Sequence, residues 1–190
     1  MLERPPKETA LEVVFYERNQ LLHCAKTVDA KKEQADKSSS PEDKAEYYLA
    51  IEGFLLHYRN LLGFFINRGN DPTDLTLARM DKWADGRPVD EPFCHSLRKR
   101  AQRVNKTHGI EYGDEKTDCY GKISWFLQHC TDYRYKAQRD WDIARMYADL
   151  SPILDEFVAS VMPVAEVGEV ISLGAPSYGT ATITKSGPLL

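Results

Sequence analysis

Apolar and aromatic residues recur with helical spacing along residues 46–66. One face follows the i, i+4, i+7, i+8 pattern of an amphipathic helix. Its members are Tyr47, Ile51, Phe54, Leu55, Tyr58, Leu61, Leu62 and Phe65. Leu49, Leu56 and Phe64 place apolar groups on a second face. Because a helix that is apolar on two sides is typical of the centre of a bundle, the pattern predicts a central helix over about residues 42–67.

Five further stretches carry apolar residues at helical spacing on either side of the central one. They cover residues 8–35, about 71–83, 90–106, 118–131 and 141–161. The connections between them are short. Together with the central stretch they predict an all-α fold, a bundle of five or six helices.

Local signals predict how several of these helices begin and end. Ser40 is expected to cap the N-terminus of the central helix, with Pro41 in its first turn. Residues 28–37 are mostly charged, so we expect the end of the first helix to project beyond the core or to fray. Pro152 should kink the last helix or split it at Leu150–Ser151.

Helical spacing is lost in two places. Residues 107–116 contain two glycines and no periodic pattern, which predicts a loop. From residue 163 glycine, serine, threonine and proline prevail, and the β-prone stretches 169–173 and 180–184 flank a Gly/Pro turn. We therefore assign residues 1–162 to one helical domain and predict that 163–190 form an extended or disordered tail, compatible with a β-hairpin.

The composition is that of an ordinary globular domain. The chain has 190 residues, 28% of them charged, and a net charge of -4. The acidic balance argues against a general nucleic-acid binder but leaves room for a local basic patch. No run of eighteen apolar residues occurs, and the first residues lack the apolar region of a secretory signal. We therefore expect a cytoplasmic protein that does not enter a membrane.

The four cysteines, Cys24, Cys94, Cys119 and Cys130, form no C-x-x-C pair. Free, mostly buried thiols are the simplest interpretation. Three of the four have a neighbouring histidine, so a zinc site with ligands from several helices is an alternative. Because the spacing provides no chelating pair, we assign no metal ligands and expect no cofactor.

Three polar residues, His57, Arg59 and Asn60, interrupt the apolar surface of the central helix. His57 and Asn60 are three residues apart and share a face, whereas Arg59 points to another side. One interpretation is a buried polar cluster, hydrogen-bonded to facing carboxylates or loop carbonyls, that fixes helix register. The other is a binding pocket with an arginine for an anion and a histidine for proton transfer.

Residues 54–65 resemble a motif of an uncharacterised bacterial all-helical family, of the form F-L-x-H-x-R-N-L-x-x-F. In that family an Asn-Lys stretch and a helix that starts with tryptophan follow. Their counterparts here are Asn105-Lys106 and Trp141. The resemblance implies an all-α fold and brings no established activity.

The chain also resembles, more distantly, the HEPN helical bundles, which include ribonuclease toxins. Their motif is an arginine, usually followed by a polar residue, with a histidine four to six residues on. Arg103 and His108 have this spacing, although Val104 takes the polar position, and Arg59-Asn60 matches only the beginning of the motif. The resemblance implies RNA cleavage by Arg103 and His108, with two motifs meeting across a homodimer.

Basic and aromatic residues also form a candidate RNA-binding surface, because cations bind phosphates and tyrosines stack on bases. Its residues are Arg98, Lys99, Arg100, Tyr133, Arg134, Tyr135 and Lys136. The alternative is a solvated helix face whose charges are balanced by acidic neighbours.

Three classes of function follow from these observations. The sequence lacks the phosphate-binding glycine motifs, the G-x-S-x-G elbow and H-E-x-x-H, which excludes P-loop ATPases, dinucleotide-dependent enzymes, α/β-hydrolases and zincins. A non-enzymatic interaction or ligand-binding module is the interpretation that we favour. A HEPN-like ribonuclease or RNA-binding protein is the alternative, and a metal-binding bundle is the third.

Overall fold

The structure is a computed structural model that describes residues 7–38, 40–67, 75–82, 90–112, 115–128 and 141–161. Within these ranges the chain forms five α-helices, a short 3-10 helix and a two-stranded hairpin. The helices are α1 (Lys7–Lys37), α2 (Pro41–Ile66), α3 (Glu91–Thr107), α4 (Cys119–Gln128) and α5 (Ile143–Val161). The 3-10 helix covers Leu77–Lys82, and the strands are β1 (Ile110–Tyr112) and β2 (Glu115–Thr117).

Helix α2 is the centre of the bundle, as its two-sided apolar pattern predicts. It contacts each of the other four α-helices and the 3-10 helix. Its N-terminus is capped by Ser40, whose hydroxyl accepts a hydrogen bond from the backbone N–H of Glu42 at 3.1 Å. Its C-terminus ends at Asn67, whose N–H donates to the carbonyl of Gly63. The predicted all-α bundle around residues 42–67 is confirmed.

Helices α1 and α2 form a long antiparallel hairpin. At its closed end Lys31 pairs with Glu46, and the amide of Gln34 donates to the carboxylate of Asp43. Val28 and Ala35 are buried beside them. The prediction that residues 28–37 project beyond the core or fray is therefore wrong. These charged residues stay helical because the first turns of α2 provide them with partners.

Three other boundary predictions can be compared with the structure. Helix α5 continues through Pro152, so the split at Leu150–Ser151 does not occur, while the alternative of a kink stays a prediction. Pro152 lies on the exposed side, where the carbonyl that it leaves unbonded can bind water. The helix expected over 71–83 contains a 3-10 helix at Leu77–Lys82 instead. The loop predicted at 107–116 contains antiparallel strands that pair Ile110 with Thr117, and strands of three residues are too short to show a period. Residues 71–74 and 129–131 and the tail from 163 lie outside the described residues.

None of the helices in the described part of the chain is long and apolar enough to cross a membrane.

Tyr58 lies in the middle of the core, and the burial of its hydroxyl is energetically unfavourable. Its ring stacks on Phe54 with centroids 5.6 Å apart, and the side chain is fully buried. Among the described residues its hydroxyl has no hydrogen-bond partner. Burial, and secondarily the nearby acidic groups of Cys119 and Asp149, raise the pKa of Tyr58 far above its usual range. The hydroxyl therefore stays protonated and is an unsatisfied donor in an apolar environment.

We expect Tyr58→Phe to leave the free energy of unfolding unchanged or to raise it by up to about 1 kcal/mol, since it removes the desolvated hydroxyl and keeps the ring. Urea unfolding followed by circular dichroism measures this. Tyr58→Leu is the control: it also removes the stacked aromatic pair, worth about 0.5–1.5 kcal/mol by itself, so it should be clearly destabilising. A large loss of stability in Tyr58→Phe would mean that the hydroxyl has a partner.

Candidate functional site

A cavity of about 400 Å³ lies between α1, α2, α4 and the residues before the 3-10 helix. One part of its wall is apolar and the rest carries charged or polar side chains. The described residues that line it are Val13, Val14, Glu17, Arg59, Asn60, Leu61, Gly63, Phe64, Asn67, Leu75, Thr76 and Tyr120. Two of the three predicted binding residues, Arg59 and Asn60, are therefore in one cavity.

The third predicted residue, His57, belongs to the same polar cluster through Glu17 of α1. Oε2 of Glu17 lies 2.8 Å from Nδ1 of His57 and accepts a hydrogen bond from Nδ2 of Asn60 at 3.1 Å. The side chains of Glu17 and His57 are only 17% and 13% exposed. A facing carboxylate was expected for His57 and Asn60, but sequence reasoning did not identify Glu17. The signal is present, because Glu17 sits at helical spacing between the buried Val14 and Leu21.

Arg59 is positioned by α4. Its Nε donates to Oγ of Ser124 at 2.6 Å, and its guanidinium carbon lies 4.5 Å from the centroid of the Tyr120 ring. Ser124 in turn donates to the carbonyl oxygen of Tyr120. Within the described ranges no carboxylate lies within 4.0 Å of this guanidinium. Among the described residues the two terminal nitrogens of Arg59 have no hydrogen-bond partner, so in this part of the structure they can donate to a bound anion.

Gly63 lets the Tyr120 ring approach α2 closely. A Cβ at this position would lie 3.0 Å from Cε2 of Tyr120 and 3.3 Å from Nδ2 of Asn67. These distances are shorter than most Cβ contacts, so a larger residue would require the Tyr120 ring and the Asn67 amide to shift by a few tenths of an ångström. Thr76 completes this side of the cavity; it is 1% exposed, and its hydroxyl has no partner in the part of the chain that the structure describes.

The start of α4, and with it the position of Tyr120, is fixed by a buried asparagine of α3. Nδ2 of Asn105 donates to Oδ2 of Asp118 at 2.9 Å, and Oδ1 of Asn105 accepts from the backbone N–H of Tyr120 at 2.8 Å. Asp118 also caps α4, because its Oδ1 accepts from the N–H of Gly121. Helix α3 thus holds the start of α4, and with it this wall of the cavity, in place.

The structure does not bring Arg103 and His108 into contact. Arg103 is exposed on α3, whereas His108 is the C-terminal cap of that helix. Nε2 of His108 lies 2.9 Å from Oδ2 of Asp149 on α5, and the His108 side chain is 9% exposed. No hydrogen bond or ion pair joins the two residues. RNA cleavage by Arg103 and His108 stays a prediction.

The basic segment on α3 is only partly free for RNA. Arg100 forms an ion pair with Glu156 of α5, Lys99 is exposed, and Arg98 is half-buried. Tyr133, Arg134, Tyr135 and Lys136 lie outside the described residues. The described residues alone therefore do not test the combined basic and aromatic surface, and RNA binding also stays a prediction.

The described cysteines, Cys24, Cys94 and Cys119, are thiols outside any disulfide bond, and Cys130 lies outside the described residues. Burial raises the pKa of Cys119 to about 12 and that of Cys24 to a smaller extent. Such thiols resist the deprotonation that metal binding requires. No group of three or more His, Cys, Asp or Glu residues suited to a metal ion occurs within the described ranges.

Comparisons with known proteins give no match to this chain, whether to a family model, a curated protein or a solved structure.

Proposed function

We propose that the protein is a non-enzymatic binding module that holds a small anionic molecule in the cavity between α1, α2 and α4. The observation that carries the proposal is the state of Arg59: it lines the cavity, is held in place from α4, and has no carboxylate partner in the described structure. A half-buried guanidinium is a costly group to retain without a counter-charge. A ligand anion would provide that counter-charge through a bidentate, charge-assisted contact.

The size and lining of the cavity support a small organic ligand. Its volume of about 400 Å³ falls in the range of about 300–1,000 Å³ that is typical of small-molecule sites. Val13, Val14, Leu61 and Leu75 provide apolar walls, and a few polar groups converge on the same space. Such a combination orients a ligand by its polar end and gains affinity from its apolar body.

A scaffold role for Arg59 is the competing explanation. Its contacts with Ser124 and Tyr120 link α2 to α4 and would exist without any ligand. The two roles differ in what they predict for binding. If Arg59 only links helices, its removal lowers stability without a specific effect on anion affinity.

The test is a titration of isotope-labelled protein with 3-phenylpropanoate and with phenyl phosphate, followed by NMR. We expect shifts of the Arg59 Nε–H signal and of the backbone amides of Gly63 and Tyr120. Arg59→Gln should weaken binding about ten- to hundredfold, as expected for the loss of a charge-assisted hydrogen bond of about 1.5–3 kcal/mol.

The matched control is Arg103→Gln, which removes the same charge from an exposed position on α3, outside the lining of the cavity. This variant should bind both anions like the wild type. The proposal is wrong if neither anion perturbs the cavity signals, or if Arg59→Gln and Arg103→Gln bind them equally well.

The homodimer, RNA binding or cleavage, and the cytoplasmic location stay predictions that are separate from this proposal. A homodimer is supported by the exposed Leu49 and Leu56, which lie seven positions apart and so share one face of α2. RNA binding or cleavage and a cytoplasmic location have no comparable support from the described residues, and the binding proposal does not depend on them.

A further inference from the structure

We infer that the ligand is a small zwitterion with an apolar body, such as an apolar α-amino acid, whose anionic group binds Arg59 and whose ammonium binds Glu17. This inference rests on the proposed binding function and names the ligand class for the same cavity. It starts from the presence of two opposite charges, Arg59 and Glu17, in the lining of one space of about 400 Å³.

The two charges are held apart on different walls. Glu17 belongs to α1 and is fixed by hydrogen bonds from His57 and Asn60. Arg59 extends from α2 and is fixed by Ser124 and Tyr120 of α4. They form no ion pair with each other at 4.0 Å or less. Each side chain is thus held by other partners, and both face the same cavity without neutralising each other by direct contact.

Both groups also keep unused hydrogen-bonding capacity. The two bonds that Glu17 accepts converge on Oε2, so its Oε1 has no hydrogen bond to any described residue. Arg59 donates to one described residue, Ser124, through Nε, so its terminal nitrogens can donate to a ligand. A carboxylate accepts bonds from an ammonium, and a guanidinium donates to a carboxylate. A ligand with one group of each sign satisfies both.

The remaining lining accounts for the rest of the ligand. Val13, Val14, Leu61, Phe64 and Leu75 form an apolar surface that neither charge occupies. A simple inorganic anion would leave this apolar surface uncovered, and it would leave Oε1 of Glu17 with no hydrogen-bond donor among the described residues and the ligand.

The test compares probes that share one apolar body and differ only in charge. L-Phenylalanine carries both groups, 3-phenylpropanoate lacks the ammonium, and 2-phenylethylamine lacks the carboxylate. A second set, L-leucine, 4-methylpentanoate and 3-methylbutylamine, repeats the comparison with a smaller body. Calorimetric titration of the wild-type chain should show that the zwitterion of at least one set binds about ten- to hundredfold more tightly than either partner of that set.

Two variants assign the charges. Glu17→Gln keeps an oxygen that can accept from His57 or Asn60, so we expect it to fold, and it should reduce the difference between the zwitterion and the carboxylate probe to about threefold or less. Arg59→Gln should do the same for the difference between the zwitterion and the amine probe. Circular dichroism shows whether each variant is folded. If a variant does not fold, the comparison of the three probes with the wild-type chain decides the question by itself.

The outcomes separate the two proposals. If the carboxylate probes bind through Arg59 as tightly as the zwitterions, the proposal of a zwitterionic ligand is wrong, and the proposal of anion binding is supported. If the zwitterions bind more tightly than the other probes but Glu17→Gln does not reduce this difference in affinity, the role proposed for Glu17 is wrong. If no probe of either set, and neither anion of the earlier titration, binds in a way that depends on Arg59, both proposals are overturned.

Discussion

Phe157→Ala should lower the free energy of unfolding by about 3–5 kcal/mol, the usual cost of removing a buried phenylalanine ring. Phe157 is the largest of the buried residues by which α5 packs into the core. Its ring contacts Phe64 and Phe65 of α2 edge-to-face, with centroids 5.2 and 5.9 Å apart, and it is 1% exposed. Alanine removes both aromatic contacts and leaves a cavity between α2 and α5.

Urea unfolding at equilibrium measures this effect, with Val13→Ala as the control. Val13 is also an apolar helical residue, but it is 41% exposed, so its replacement should change stability by no more than about 0.5 kcal/mol. Phe157→Leu should fall between the two because it keeps most of the buried apolar area. A loss below about 1 kcal/mol in Phe157→Ala would mean that α5 is not packed on α2 in this way.

The central helix could be predicted from sequence because its evidence is local and redundant. Two apolar faces, a Ser-Pro start and acidic residues in the first turn all indicate one helix between about 42 and 67, and the structure has it at Pro41–Ile66. The charged end of α1 was misjudged because its partners, Glu46 and Asp43, belong to the next helix. A charged helix end has the same composition whether it is solvated or paired with a neighbouring helix, so composition alone does not distinguish the two.

The candidate site was only partly predictable for the same reason. His57, Arg59 and Asn60 stand out as polar residues in an apolar helix, but their partners lie 40 to 65 positions away along the chain. Selecting Glu17 among many acidic residues requires the register of the α1–α2 hairpin. Adjacent residues of a helix point in different directions, yet the long Arg59 side chain reaches the same cavity as Asn60. The spacing of residues along a helix does not show how far a long side chain extends around it.

Asn105 connects the stability of the bundle to the geometry of the site, and Asn105→Ala should lower the free energy of unfolding by about 2–3 kcal/mol. The substitution removes one hydrogen bond to the Asp118 carboxylate and one from the backbone N–H of Tyr120. A bond to a charged group contributes about 1.5–3 kcal/mol and a neutral one about 0.5–1.5, part of which water recovers at the exposed Asp118. Gln102→Ala, an exposed polar residue of the same helix, is the control and should stay within about 0.5 kcal/mol of wild type.

The same variant tests whether α4 positions the binding site. With the Tyr120 N–H unbonded, the first turn of α4 loses the contact that fixes the ring beneath Arg59. Asn105→Ala should therefore also weaken binding of 3-phenylpropanoate, measured well below the unfolding transition, although Asn105 does not line the cavity. Unchanged affinity in a folded but destabilised variant would show that Tyr120 keeps its place without Asn105. Reduced affinity, absent in Gln102→Ala, would show that the position of the guanidinium depends on the start of α4 being held by α3.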